Sequence, residues 1–373
     1  MVLFMFLGKS PEITVHLEKQ TQPKQHAMTK PVDFIDKFQI YVVSLPGRGA
    51  RKADMERLRG ALGLQWKYYD ATYSNSALIG KILHWVENVR AKLLSAIPST
   101  DSDVSGSLGN DDSYSDGDIH AEDVLFWPEY LEDIAQSNLE IPLLDPLIWA
   151  QPVRRPPYEP LTCSEQDFYL LDKAPDEVPE YKRLTSGRVA CWHSHLSVLH
   201  LHANSLPTAS GKGSIALILE DDVDMERDIM QQMEFLWKDL PEDWDMVFLG
   251  HCWSDETRGS LITKESPTNG SLPTWSKMYT STDPKCTHAY AVSRAGARRL
   301  LLHLTHPPFA YSRAIDQAYA WLIESKRIQS FSVVPNLAMQ RKVTVSDVME
   351  GGTVNNLWID SLFNSVLDSL QED

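Results

Sequence analysis

Cysteine is scarce in this chain. Four residues in 373 are scattered along it, without a CxxC pair or the spacing of a zinc finger. They are Cys163, Cys191, Cys252 and Cys286. A scaffold built on disulfides is therefore not expected at this length, although one or two bridges are compatible with the pattern.

A long hydrophobic run is also missing. The apolar N-terminal stretch MVLFMFLG ends before Lys9 and has no basic segment ahead of it, so it is too short to span a membrane and makes a poor signal peptide. We expect no integral membrane segment. One sequon, Asn269-Gly270-Ser271, would be used only in the secretory pathway, so the sequence leaves the compartment undecided.

Basic residues do not offset the acidic ones, and the net charge is −16. Residues 99–150 hold 13 Asp and Glu and no Lys or Arg, which leaves −16 + 13 = −3 for the rest of the chain. The excess is thus local and typical of a solvated acidic loop. A nearly neutral remainder argues against nucleic acid as a partner.

The N-terminal part of the chain predicts a βαβ unit. An apolar strand over Phe38–Leu45 is followed by a glycine-containing turn and a helix that stops near Gly63. A second strand follows over Trp66–Thr72. This order predicts a mostly parallel sheet with helices on both faces.

A large insertion then interrupts the pattern at about residues 75–180. It begins with a helix over Ile79–Ile97, has a Ser/Gly/Asp-rich tip at about 99–123 that reads as disordered, and continues as a proline-rich segment. Strands and helices resume beyond it. We therefore predict a flexible leader at 1–36, one domain over 37–350 and a tail or helix at 351–373.

The strongest chemical signal is LILEDDVD, at positions 217–224. A buried strand ends there in three consecutive carboxylates, Glu220, Asp221 and Asp222, which repel one another unless they fan into water or hold a divalent cation. Ligands in open α/β sheets bind at the carboxyl ends of the strands, and oxygen ligands suit Mg²⁺ or Mn²⁺. The residues alone do not decide between a solvated acidic loop and a site for a divalent cation.

The order of the motifs resembles glycosyltransferase family 25, the group of bacterial lipooligosaccharide and collagen galactosyltransferases. IYVVSLPGRGARKADMERLRGALGLQWKYYDAT resembles its opening, GRVACWHSHLSVL its "G-x-x-G-C-x-x-S-H" element and ALILEDDVDM its "LEDD" strand. DWDMVFLG, THAYAVSRAGARRLL, AIDQAYAWLI and LAMQRKVTVSDV follow in the family's order. The resemblance covers about residues 38–74 and 185–348, and leaves out the leader and the insertion.

The resemblance implies a GT-A fold, a Rossmann-like sheet that binds a nucleotide-sugar through Mn²⁺ or Mg²⁺. The run Glu220-Asp221-Asp222 then matches the DxD-like motif, with Glu220 and Asp222 as metal ligands and Asp221 at the donor. Asp222 is the first choice for direct metal contact, and Asp224 is a further candidate ligand. The metal would stabilise the charge on the leaving nucleotide.

The resemblance also implies roles at the donor and acceptor. Arg48 and Arg51 follow the first strand, where guanidinium groups suit a diphosphate, although a surface arginine is an equal interpretation. Ser194 and His195 match donor-facing positions, but His195 also fits a hydrogen-bonded core histidine. Asp316 matches the family's "ID" step and is the leading candidate for the base, with a first-turn helix acid as the alternative.

Two motifs depart from the family pattern. Ala190 replaces the second glycine of "G-x-x-G-C", and LPGRGAR replaces "L-x-R-R-x-D-R", so one Arg of the donor loop is lost and two glycines are gained, while the metal motif is intact.

We therefore predict a metal-dependent glycosyltransferase that moves a hexose, galactose by resemblance, from a UDP-sugar to a glycan or protein hydroxyl with inversion. The alternatives are an inactive GT-A-like binding protein and another metal-dependent nucleotide enzyme. The family's collagen-modifying members imply the ER or Golgi lumen, whereas the weak signal peptide favours the cytoplasm.

Overall fold

A computed structural model describes the chain from residue 34 onward, with gaps. The described residues are 34–96, 127–128, 130–166, 169–171, 173–206, 211, 213–264, 275–341 and 362–370. The predicted tip at 99–123 and all but the last residues of the predicted leader lie outside them. The first described element is a short 3₁₀ turn, Phe34–Lys37, immediately before the first strand.

The described residues form nine α-helices and eleven strands. The helices are α1 (Gly49–Leu62), α2 (Ala77–Ala96), α3 (Leu131–Gln136), α4 (Pro146–Trp149), α5 (Ser186–Ala203), α6 (Ile229–Leu236), α7 (Arg294–Thr305), α8 (Ile315–Glu324) and α9 (Val366–Ser369). The strands are β1 (Phe38–Ser44), β2 (Trp66–Asp70), β3 (Leu161–Thr162), β4 (Arg183–Leu184), β5 (Ile215–Glu220), β6 (Val223–Met225), β7 (Met246–Cys252), β8 (Lys277–Thr280), β9 (Lys285–Ser293), β10 (Ser330–Val334) and β11 (Ala338–Gln340).

A seven-stranded sheet in the order β2-β1-β5-β9-β7-β10-β8 forms the centre of the fold. β1 pairs in parallel with β2 and β5, and β10 pairs in parallel with β7. β9 runs antiparallel between β5 and β7, and β8 runs antiparallel at the edge. The sheet is thus mixed, and the start of β9 lies at the same edge as the ends of β1, β5 and β7.

Side chains alternate between two hydrophobic clusters along each central strand. In β5, Ala216 and Ile218 join a cluster with α2, α5, α7 and α8, whereas Leu217 and Leu219 join a cluster with α1, α6 and α9. Successive side chains of a strand point to opposite faces, so a strand covered by helices on both faces must be apolar throughout. The prediction of helices on both faces is confirmed.

Local signals in the sequence fix the ends of the helices that carry the site. Gly63 ends α1 with φ of 64°, a left-handed conformation that glycine adopts without a Cβ clash. The Thr185 hydroxyl accepts a hydrogen bond from Arg188 N at the start of α5, and the Ser293 hydroxyl accepts one from Gly296 N at the start of α7.

The insertion contributes to the core after its acidic tip. Ile141, Leu144 and Ile148 are buried in the cluster that contains α2 and α5. The regular elements of the proline-rich segment are short, the four-residue helix α4 and the two-residue strand β3, because its prolines exclude longer ones. Among the described residues, no helix is both long and apolar enough to cross a bilayer.

Two glycines in different surroundings test this packing. A Cβ at Gly250 in β7 would lie 2.1 Å from Ala338 O and 2.2 Å from His288 Nε2, whereas a Cβ at Gly60 in α1 meets nothing within 4 Å. We expect Gly250→Ala to destabilise the protein by about 1–3 kcal/mol or more. Gly60→Ala should stabilise it by about 0.5–1 kcal/mol. Urea denaturation measures both, and an unchanged midpoint for Gly250→Ala would contradict the close approach of β7 and β11.

Candidate active site

A cavity of about 490 Å³ opens where β1, β2 and β5 end. Its walls come from the turn after β1, the loop after β2, the first half of α5 and the acidic run after β5. Seven of the residues predicted from the sequence line it: Arg48, Arg51, Ser194, His195, Glu220, Asp221 and Asp222. Residues more than 170 positions apart in the chain thus converge at one edge of the sheet.

Arg51 connects the start of α1 to the acidic run. Its Nη1 donates to Asp221 Oδ1 at 2.8 Å and to Asp222 Oδ2 at 2.9 Å. Burial disfavours the charge of Arg51, but the charges of Asp222 and Asp221 outweigh this effect and raise the pKa of its guanidinium. The arginine therefore stays charged and offsets part of the carboxylate repulsion.

Asp221 is held from two sides. The Ser44 hydroxyl at the end of β1 donates to Asp221 Oδ2 at 2.7 Å, while Arg51 occupies Oδ1. Both carboxylate oxygens therefore have a protein partner, and the residue is buried. Asp221 fixes the acidic turn to β1 and leaves its neighbour to face the cavity.

Asp222 differs, because one of its oxygens lacks a partner. Oδ2 accepts hydrogen bonds from Arg51 and, at 3.2 Å, from Gln340 Nε2. Oδ1 is buried and accepts no hydrogen bond within the described part of the chain. Burial, followed by the charge of Glu220, raises the pKa of the Asp222 carboxyl. A buried acceptor without a donor is costly unless a cation or ligand completes it.

The Glu220 carboxylate has its own partners, on α5 and β9. Its Oε1 accepts a hydrogen bond from the Thr287 hydroxyl at 2.7 Å and lies 3.4 Å from His195 Nε2. Burial acts to raise the pKa of Glu220, but His195 and Thr287 together lower it below its usual value. The carboxylate therefore stays ionised beside Asp222.

Ser194 and His195 take different positions on α5. The Ser194 hydroxyl donates to Ala190 O and accepts from Thr72 N at 2.9 Å, so it ties the helix to the loop after β2. His195 is 1% exposed, and its Nδ1 lies 3.0 Å from the Tyr290 hydroxyl. It lies at the cavity and is also a hydrogen-bonded core residue, so both interpretations from the sequence describe part of its environment.

Arg48 and Tyr73 form the outer part of the cavity. Burial, followed by the charge of Arg51, lowers the pKa of Arg48. Tyr73 is 46% exposed, and its hydroxyl donates to Pro46 O. The mouth of the cavity therefore combines a guanidinium group with an aromatic ring.

Asp224 does not reach this cavity. Its Oδ1 accepts hydrogen bonds from Met225 N and Leu367 N at 2.7 and 3.2 Å, and its Oδ2 accepts from Ser365 Oγ at 2.5 Å. All these partners belong to the protein and lie toward α9. The carboxylate holds the C-terminal helix in place, in contrast to the metal-binding position expected from the sequence.

Asp316 lies next to the cavity without lining it. Its Oδ2 accepts a hydrogen bond from Cys286 N at 3.2 Å, and its Oδ1 accepts one from Gln317 N at 2.8 Å. Cys286 immediately precedes Thr287, the partner of Glu220. The charge of Asp316 also contributes to the raised pKa of Cys191, which lines the cavity, after burial and the charge of Glu220.

Three further residues hold the site together and were not anticipated: Ser44, Thr287 and Gln340. Ser44 ends β1, Thr287 lies near the start of β9 and Gln340 ends β11, so each contacts the acidic run from a distant part of the chain. Single polar residues at strand ends are common, and no local pattern distinguishes these three.

The residues of the acidic run fit a divalent cation at one position. Asp222 Oδ1 is a buried hard-oxygen ligand without a donor, and Glu220 lies next to it with a lowered pKa. Asp221 and Asp224 already have protein partners on both oxygens. Asp222 is thus the residue best suited to direct metal contact.

One protein-family model matches part of the chain. Residues 162–317 match the family model of glycosyltransferase family 25 (LPS biosynthesis protein). The matched segment contains the acidic run and Asp316, but not β1, α1 or β2. It indicates glycosyltransferase activity and confirms the resemblance expected from the sequence over that segment. A search of curated proteins found no match to the chain.

Neutralising the Asp222 carboxylate should change the stability of the protein in a direction that can be measured. With a chelator present, Asp222→Asn should stabilise the protein by about 1 kcal/mol or more, because it removes a buried charge that faces Glu220. Asp224→Asn should destabilise it by about 1–3 kcal/mol, because it leaves donors near α9 poorly matched. Thermal unfolding measures both, and a lower Tm for Asp222→Asn would contradict the electrostatic account.

Proposed function

We propose that the protein is a metal-dependent glycosyltransferase that moves a hexose from a UDP-sugar to a hydroxyl group, with inversion at the anomeric carbon. The observation that carries the proposal is the buried, unpartnered Asp222 Oδ1 beside Arg51, in a cavity of about 490 Å³. That volume lies in the range of small-ligand sites. The family match supports the transferase class, and the metal, donor and stereochemistry are our inference.

The donor diphosphate fits the charge of this cavity. Arg48 and Arg51 supply guanidinium groups with several N–H donors each, which suit phosphate oxygens. Arg51 lies in the wall of the cavity, where its Nη1 already bonds the two aspartates of the acidic run. The nucleotide base would lie toward Tyr73 at the mouth, where an aromatic face is exposed.

Asp222 and Glu220 would hold Mn²⁺ or Mg²⁺. A bound cation would neutralise the charge that develops on the departing uridine diphosphate. Arg51 stabilises the same charge from the other side, while Ser44 keeps Asp221 from competing for the cation. The protein therefore needs no covalent intermediate at the leaving group.

The acceptor hydroxyl would lose its proton to Asp316. A single displacement requires a base on the face of the sugar opposite to the leaving diphosphate. Asp316 accepts hydrogen bonds from Cys286 N and Gln317 N, which hold its carboxyl group in a fixed position. We assign the acceptor to glycans or protein hydroxyls, and galactose is the transferred sugar that the family resemblance favours.

Calorimetric titration with uridine diphosphate, UDP-galactose and UDP-glucose tests the donor site. We expect binding with Mn²⁺ that weakens at least tenfold with chelator, and a similar loss in Asp222→Ala. Asp70→Ala is the matched control, because Asp70 is an exposed carboxylate at the end of β2, on the same edge of the sheet. It should bind as the wild type does.

Other results distinguish the alternatives. Donor binding without turnover over a broad acceptor panel would favour an inactive binding protein. Release of pyrophosphate in place of uridine diphosphate would favour another nucleotide enzyme. Absence of binding to every uridine nucleotide would contradict the proposal.

Asp316→Asn tests the base. We expect kcat to fall by about 10²–10⁴, because the amide cannot accept the proton, while the donor dissociation constant changes less than about threefold. Steady-state kinetics with calorimetry of the donor separates the two effects. A kcat within about threefold of the wild-type value would show that another group acts as the base.

A further inference from the structure

Trp253 occupies an unusual position immediately beyond β7. The indole is 58% exposed, although the residue follows a strand that is buried throughout. Its backbone has φ of 62°, in the left-handed region that bulky residues rarely adopt. Residues held in sparsely populated backbone conformations cluster at active sites and ligand clamps.

Several bonds hold this segment to the start of β9. Cys252 and Cys286 form a disulfide with a Cα–Cα distance of 5.8 Å, and Cys286 also has a positive φ of 68°. Farther along, the buried Glu256 accepts hydrogen bonds from Thr282 and from Asp283 N. Trp253 therefore sits in a braced loop, so little conformational entropy is lost when a ligand contacts it.

The disulfide places this loop next to the candidate catalytic carboxylates. Cys286 N donates to Asp316, and the adjacent Thr287 donates to Glu220. Given the disulfide and the spacing of consecutive Cα atoms, the Cα of Trp253 lies within about 13 Å of that of Thr287.

Trp253 and the donor cavity belong to different strand ends of the same sheet. The cavity uses the ends of β2, β1 and β5, whereas Trp253 follows β7, beyond β9 in the order of the sheet. Of the three strands at the cavity, β5 is the nearest to β7 in that order, and the acidic run follows it. A transferase needs its second substrate on the side of the reacting carbon away from the nucleotide.

We propose that Trp253 is an acceptor-binding residue, on whose indole a pyranose ring of the acceptor stacks while its hydroxyl is directed toward Asp316. This inference rests on the proposed transferase function and assigns the acceptor to the glycans. Indole is the largest aromatic surface that a side chain offers, and a pyranose has a C–H face that matches it. A loop held by a disulfide keeps that surface at a constant distance from Asp316.

Saturation-transfer NMR with simple glycosides tests the assignment. The probes are the methyl α- and β-glycosides of galactose, glucose, mannose and N-acetylglucosamine, added to protein loaded with uridine diphosphate and Mg²⁺. Trp253→Gly removes the indole and suits the left-handed backbone, and Trp253→Phe keeps a ring. Trp149→Ala is the matched control, because Trp149 is also 58% exposed but lies on α4, in the insertion.

We expect at least one glycoside to bind the wild type, with a dissociation constant about tenfold higher in Trp253→Gly. Tenfold corresponds to about 1.4 kcal/mol. The constant should change less than about threefold in Trp253→Phe and not at all in Trp149→Ala. No glycoside binding by the wild type, or equal binding by Trp253→Gly, would overturn the assignment.

Titration with uridine diphosphate, run on each protein, separates this inference from the proposed function. Failure of the wild type to bind the nucleotide would contradict the transferase proposal itself. Should Trp253→Gly alone lose the nucleotide, Trp253→Asn is used in its place, since Asn also tolerates a positive φ. Nucleotide binding retained with glycoside binding lost is the result that supports an acceptor role for Trp253.

Discussion

The contact of Arg51 with Asp221 and Asp222 is the interaction on which the site depends. Three consecutive acidic side chains at the end of a buried strand repel one another strongly in a poorly solvated environment. Arg51 compensates two of them, and His195 with Thr287 compensates the third. Within the described part of the chain no group donates to Asp222 Oδ1, so the compensation of the three carboxylates is incomplete at that oxygen.

The arrangement of strands makes this balance possible. Because β9 runs antiparallel between β5 and β7, its first residues reach the edge where the other strands end. Thr287 and Cys286 thereby meet Glu220 and Asp316, and the disulfide extends the contact to the loop after β7. A uniformly parallel sheet would bring the end of β9 to this edge and its start to the opposite one.

Much of the fold and part of the site could be predicted from the sequence. Apolar runs predicted β1 and β5, and the end of α1 followed from Gly63 because capping is a local effect. Short elements such as β6, β8 and β11 carry too few residues for a periodic signal. The partners of the acidic run, among them Ser44 and Gln340, could not be predicted, because they come from distant segments.

The sequence by itself determined that three carboxylates end a buried strand and that arginines follow the first strand, since both facts depend on residue order alone. Tertiary structure decided which carboxylates are available. Asp224 is two residues from Asp222, yet it binds Ser365 and α9, whereas Asp222 faces the cavity with one oxygen unpartnered. The physical reason is that hydrogen bonds between distant segments, and not spacing along the chain, determine which oxygens are satisfied.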